Sequence, residues 1–223
     1  MRENRLREML RVIDLEYGQT AYVTGRFRAP PRILEAMARV PRDAFVPAEM
    51  KARAYDNNAL PIGRGQTISQ PFIVALMTDL LETEPDDVIL EIGTGSGYQA
   101  AVLSQLVKQV YSLEILPELA ERSARLLAEQ GCTNVEVLCA DGTQGLPARA
   151  PFDGIIVTAA ASHIPPALPK QLKTGARLVI PVGPPYGHQE LLVVDRGDED
   201  EIRTRSVLGV AFVPLTGAGW TDA

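Results

Sequence analysis

The sequence predicts an α/β protein built on a mostly parallel sheet. Three observations carry this. After residue 86, short apolar runs alternate with helix-patterned stretches, the rhythm of strand–helix–strand units. The first run, DVILEIG (87–93), ends among glycines, as a buried strand feeding a sharp turn does. The last two runs, QELLVVDR (189–196) and IRTRSVLGVAFVPL (202–215), are separated only by the charged turn RGDEDE. One antiparallel pair is therefore expected at the C-terminal edge, with helices on both faces of the sheet.

The elements follow in order. Residues 1–16 place Leu6, Met9, Leu10 and Ile13 at helical spacing. Gly18, Gly25 and the Pro30-Pro31 pair then predict a loop over 17–31. RILEAMARV (32–40) reads as a second helix, stopped by Pro41. Residues 41–65 carry Pro47, Pro61, Gly63 and Gly65 and are expected to be mostly loop with short pieces of structure. A helix runs from Pro71 to about Glu82. Beyond it come a strand at 87–93, a helix at 98–107 and a strand at 109–115. The amphipathic helix 117–131 begins at Pro117 and stops at Gly131. Strands at 134–141 and 152–160, a short helix at 165–175 and a strand at 176–183 complete the series. No linker or repeat interrupts it. Residues 1–223 are expected to form one domain, a helical segment over 1–82 on a core over 83–223.

The bulk composition sets limits. The chain has 223 residues, 46% hydrophobic and 22% charged, as a soluble globular domain does. A net charge of −6 argues against a nucleic-acid binder, which carries a basic surface. No apolar run approaches the roughly 20 residues of a membrane span. The charged start MRENRLREML lacks a secretory core. Cys132 and Cys139 make no disulfide framework and suit a reducing compartment. A cytoplasmic location and, more weakly, a monomer are expected.

The chemistry concentrates in LEIGTGSG (90–97). Gly93, Gly95 and Gly97 stand between a strand and a helix, where the backbone turns sharply and a ligand can approach. The spacing is G-x-G-x-G, and Tyr98 occupies the place of the third dinucleotide-binding glycine. Glu91 precedes the loop by two residues. The pattern E-x-G-x-G-x-G is the one S-adenosylmethionine methyltransferases show, which makes the expected fold Rossmann-like. Glu114 ends the next strand, where a carboxylate accepts from ribose hydroxyls. Asp141 and Gly142 end the third, where a side chain and an amide could read adenine. Three acidic strand ends in order outweigh solvated carboxylates, and an NAD(P) enzyme is the remaining dinucleotide reading.

Other polar residues read more plainly. His163 and His188 are expected on loops, solvated or structural, although a catalytic base or ligand is open to either. No Cys/His/Asp cluster has metal-ligand spacing. The cysteines read as buried or half-buried thiols, and Trp220 as an anchor for the tail. In GQTISQPFIV (65–74), Ser69 first suggests a helix cap. Pro71 weakens that reading. It belongs at the first helical position and forces Gln70 out of the helical region, which leaves Ser69 outside the helix with a free hydroxyl.

Together these residues resemble the protein-L-isoaspartate O-methyltransferases. The resemblance runs through VPRDAFVP (40–47), YDNNALPIGRGQTISQPFIVALMTDLL (55–81), DVILEIGTGSGYQAAVLSQL (87–106), DGTQGLPARAPFDGIIVTAAASHIPPAL (141–168) and VAFVPLTG (210–217). GQTISQP is its most specific part. It implies transfer of a methyl group from S-adenosylmethionine to the free α-carboxylate of isoaspartyl residues in damaged proteins, an ester that collapses to a succinimide. It also implies that Ser69 is the active-site serine, orienting that carboxylate. Gln66, Thr67 and Thr216 line the substrate side, and Glu91, Gly93, Gly95, Gly97, Glu114, Asp141 and Gly142 the cofactor side. The first 32 residues match the family poorly, and Thr143 stands where many relatives carry an aromatic. A methyltransferase of another carboxylate or small molecule, or a member that binds without turnover, would share the scaffold.

Overall fold

A computed structural model describes residues 2–198 and 201–217. Trp220, Glu199 and Asp200 lie outside them. The seven-stranded sheet contains β3 (Val88–Ile92), β4 (Gln109–Glu114), β5 (Val135–Cys139), β6 (Phe152–Val157), β7 (Leu172–Val182), β8 (Gln189–Arg196) and β9 (Ile202–Val210). Its order is β5-β4-β3-β6-β7-β8-β9. The pairs from β5 through β7 are parallel. Both β7–β8 and β8–β9 are antiparallel, so the edge holds two such pairs where one was expected. The Rossmann-like α/β class holds, with a mostly parallel sheet and an antiparallel edge.

The helical layer differs from expectation. Helices α1 (Arg2–Thr24), α2 (Pro31–Arg39), α3 (Pro71–Leu80), α4 (Tyr98–Ser104) and α5 (Pro117–Glu129) all contribute to one buried cluster on one sheet face. The cluster on the other face draws on no α-helix among the described residues. There Leu146, Ala150, Ile164 and Leu168 cover Leu90, Ile92, Ile155 and Leu178 from irregular segments. The helix expected at 165–175 is only a 3-10 turn, Pro169–Gln171, and β7 begins at Leu172. Pro165, Pro166 and Pro169 remove the N–H groups a longer helix would need.

Helix α1 runs eight residues past its expected end, through Gly18. Met9, Ile13, Tyr17 and Ala21 recur every four residues and are buried along it. Tyr17 also meets Phe72 of α3 edge-to-face, with ring centroids 5.6 Å apart. Burying Met9 or Ile13 contributes roughly 1.5–3 kcal/mol each. That exceeds the ~1 kcal/mol that a helical glycine costs. The helix stops where Gly25 adopts φ 69°, a left-handed C-terminal cap.

Residues 41–70 are more ordered than a loop. Two 3-10 turns, Arg42–Ala44 and Ala48–Arg53, precede the hairpin β1 (Leu60–Gly63) and β2 (Gln66–Ile68). Arg64 and Gly65, at φ 55° and 71°, make the tight two-residue turn that such hairpins favour. The hairpin delivers residues 66–70 to the carboxyl end of the sheet. β9 ends at Val210, five residues sooner than expected. The chain then crosses to the end of β6, where Ala160 N donates to Val213 O at 2.8 Å and Leu215 N to Ala160 O at 2.7 Å. Thr216 is placed by that crossing.

Candidate active site

The chain leaves β3 toward β4 and β5, and leaves β6 toward β7, on opposite sides. Such a reversal opens a crevice at the carboxyl ends of the two strands. A cleft lies there. Gln66, Thr67, Ser69, Gly93, Gly95, Glu114, Gly142 and Thr216 line it, so eight residues singled out from sequence come together. Glu91, Gly97 and Asp141 are not in its wall.

The glycine loop is pinned from both neighbouring strands. Gly93 N and Thr94 N donate to Leu113 O at 2.8 and 3.2 Å. Thr158, just beyond β6, donates its hydroxyl to Gly93 O at 2.5 Å and its amide to Ile92 O at 2.9 Å. Gly93 has φ 96°, and a Cβ there would sit 2.6 Å from the Thr158 hydroxyl. Gly97 caps α4 and packs against Leu127 and Ser123 of α5.

The three acidic strand ends have different surroundings. Glu114 accepts from Gly95 N at 2.8 Å with one oxygen and from Leu116 N at 3.0 Å with the other. Each carboxylate oxygen keeps a second lone pair for a ligand. This acceptor-rich wall suits a ligand bearing hydroxyl and amino donors, as the ribose and amino acid of S-adenosylmethionine do. Asp141 caps the turn after β5, accepting from Thr143 N at 2.9 Å and Thr143 Oγ1 at 2.8 Å, and places Gly142 in the wall.

Glu91 lies beneath the loop. It stands opposite Ser112 in the β3–β4 ladder and is fully buried. Ser112 donates to one carboxylate oxygen and lies 2.6 Å from the Thr94 hydroxyl; the other oxygen has no hydrogen-bond partner among the described residues. Burial pushes this carboxyl up to about 8, against the Ser112 hydrogen bond and helped by the charge of Glu114. The folded protein thus holds a proton there that the unfolded chain releases near 4.5. That contribution to stability is present below about pH 4.5 and is lost as pH rises toward about 8. Glu91→Gln, which mimics the neutral acid, is expected to gain melting temperature on the wild type as pH is raised through that window. A constant difference between the two proteins would overturn the assignment.

GQTISQ is held outside α3. Gln70 occupies the cap position at φ −52°, ψ 136° and gives no side-chain cap. Asn57 takes that role, accepting from Phe72 N at 3.0 Å. Its amide donates to Glu16 of α1 at 2.5 Å. The Ser69 hydroxyl makes no hydrogen bond among the described residues, while its carbonyl accepts from Arg42 at 2.7 Å. Ser69 and Thr67 line the first cleft and also a second groove, which continues past Glu16, Thr20, Phe72, His188 and Phe212.

Several residues of the cleft were not read from sequence. Thr158, Tyr98, Gln99 and Leu116 line it. Only Thr158 carried a signal, as a polar residue at the end of a strand. His163 and His188 are both exposed, His163 next to the Ser162 hydroxyl and His188 beside Glu190. Cys132 is buried, but Cys139 is exposed rather than half-buried.

A glycine cradle at the sheet's switch point, with an acidic strand end beside it, defines a Rossmann-like methyltransferase. Comparison with known proteins narrows the class. The family model for protein-L-isoaspartate(D-aspartate) O-methyltransferase matches residues 22–219. "Protein-L-isoaspartate O-methyltransferase 2" of Nitrosococcus oceani is 58% identical, over 95% of this chain and 96% of its own. The protein of the same name from Syntrophobacter fumaroxidans is 53% identical, over 94% of this chain and 85% of its own. The chain belongs to the protein-L-isoaspartate O-methyltransferase family. It is an enzyme that methylates isoaspartyl residues of damaged proteins, with S-adenosylmethionine as donor. A solved protein-L-isoaspartate O-methyltransferase superposes with a TM-score of 0.82 at 26% identity, covering 97% of this chain and 66% of that one. A putative member from Plasmodium falciparum, solved with S-adenosyl-L-homocysteine, superposes at 0.74 with 21% identity, over 93% and 98%. The match starts at residue 22, so part of the segment expected to diverge falls within the family pattern.

Proposed function

We propose that Ser69 orients the α-carboxylate of an isoaspartyl residue at the meeting point of the two clefts. The observation that carries this is a hydroxyl with no hydrogen-bond partner among the described residues, on a segment anchored from behind and open to both spaces. S-adenosylmethionine supplies a methyl group already activated on a sulfonium. A carboxylate is ionised at neutral pH, with a reference value near 3.5–4, and requires no general base. The chain's task is to bind and align. Ser69 donates to one carboxylate oxygen and leaves the other facing the first cleft. Thr67 and Gln66 border it, and Thr216 faces them from the crossing segment. Glu114 holds hydroxyl donors on the cofactor side, with the backbone of Gly93, Gly95 and Gly142 beside it. Glu91, Gly97 and Asp141 shape that side from behind.

The flanking substrate residues occupy the second groove. On this reading residues 1–223 act as one domain, since α1, α3 and the sheet share a buried cluster. The protein works in the cytoplasm on free protein and peptide substrates, as a monomer and without nucleic acid or membrane; the net charge of −6 and the absence, among the described residues, of a helix able to cross a bilayer support this. D-aspartyl residues, named in the family description, form a second substrate class.

The test uses labelled S-adenosylmethionine and two peptides differing only in isoaspartate or aspartate at one position. Label is expected in the isoaspartyl peptide alone. Equal labelling of both, or none, would sink the reading.

A further inference from the structure

The motif VPRDAFVP contains the largest fully buried side chain of the described residues, Arg42. Its Nε donates to Ala54 O at 2.8 Å and its Nη2 to Ser69 O at 2.7 Å. The guanidinium carbon lies 4.8 Å from the centre of the Tyr98 ring, and Tyr98 lines the first cleft. Nη1 has no partner. No carboxylate lies within ion-pair distance of Arg42 among the described residues. The neighbouring Asp43 is taken by Arg2 and by the Tyr55 hydroxyl, at 3.3 and 2.7 Å.

An unpaired buried charge is costly, and the carbonyls of Ala54, Asn58 and Ser69 that Arg42 satisfies could be met by a neutral donor without that cost. Burial lowers this arginine only to about 10, so it remains a cation at neutral pH. Its charge sits behind the residue that meets the substrate. Chain geometry puts the Ser69 hydroxyl within roughly 7 Å of the guanidinium. At that range, with an effective dielectric of about 20, a cation favours an anion severalfold or more. The substrate is an anion, and its methyl ester is not.

Resting on the functional reading above, we infer that Arg42 is a positioning residue whose buried positive charge, held against the Ser69 carbonyl and the Tyr98 ring, selects an ionised carboxylate over neutral groups at the Ser69 hydroxyl. The charge acts on the bound anion, whose charge is consumed in the transition state. It therefore tightens binding of the anionic substrate and favours release of the neutral ester, and it opposes kcat rather than raising it.

The experiment measures binding of two peptides to the enzyme loaded with S-adenosylhomocysteine. One carries isoaspartate with its free α-carboxylate, the other the same residue as a neutral α-carboxamide. The wild type is expected to prefer the carboxylate about tenfold or more, across neutral and mildly alkaline pH. Arg42→Gln, which keeps a donor but no charge, is expected to bring the ratio near one. Arg42→Lys is expected to keep the preference at mildly acidic pH and lose it as pH rises, because a buried lysine surrenders its proton there. Loss of packing alone produces no such pH dependence. A wild type that does not discriminate overturns the inference, as does Arg42→Gln with full preference. If Arg42→Gln does not fold, a flat pH profile in Arg42→Lys overturns it. If the isoaspartyl peptide does not bind the loaded wild type at all, the functional reading falls too. If it binds no better than the carboxamide, only the Arg42 inference falls.

Discussion

Ser69→Ala is expected to lower kcat on an isoaspartyl peptide by about 100-fold, with affinity for S-adenosylhomocysteine close to wild type. The size follows from what the hydroxyl does. It adds no proton transfer and forms no covalent intermediate, so its value lies in alignment. A misplacement of about 1 Å at a reacting centre can cost about 10²-fold. The backbone around it is fixed independently, by Pro71 at the start of α3 and by the 2.7 Å bond from Arg42 to the Ser69 carbonyl. Removing one exposed-side oxygen should therefore leave the fold and the glycine loop untouched. Single-turnover kinetics and calorimetry measure the two quantities separately. A collapse of cofactor affinity would reassign Ser69 to the cofactor wall, and unchanged turnover would remove it from the site.

Gly93→Ala is expected to cut cofactor affinity by at least about tenfold and to lower the urea midpoint. Two costs combine. At φ 96° an L side chain is strained, by about 1–3 kcal/mol. The new methyl would also meet the Thr158 hydroxyl at 2.6 Å. That hydroxyl cannot easily retreat, since it is bonded to the carbonyls of Ile92 and Gly93 at 3.1 and 2.5 Å. The double variant Gly93→Ala/Thr158→Ala separates the costs. It is expected to recover the steric part and keep the backbone part. Wild-type affinity in the single variant would show that the loop is not the cofactor's cradle.

Much of this site was legible beforehand, for identifiable reasons. The strand that ends at Ile92 is apolar apart from Glu91, and the glycines after it can only be a turn, so LEIGTGSG declared itself. Pro71 made the status of Ser69 readable, because a proline limits the residue before it whatever surrounds them. Helix α1 was cut short because Gly18 looks like a break from within its own segment. The burial of Tyr17 against Phe72 that carries the helix through depends on a partner more than fifty residues away. The helix expected at 165–175 failed for the opposite reason, with three prolines outweighing an apolar pattern.

The sequence by itself determined the α/β class, the glycine turn, the acidic strand ends and the exclusion of Ser69 from α3. These rest on local rules, backbone stereochemistry and side-chain periodicity, that act within a few residues. Tertiary structure alone decided which of those groups meet. It put Glu114 in the cleft and Glu91 beneath it, although both are glutamates at strand ends, because the loop folds over β3 and leaves the end of β4 open. It also set the Arg42 cation behind Ser69, across a sequence gap no periodicity spans. Burial and electrostatic potential are properties of the packed chain, and they decide what an ionisable residue can do.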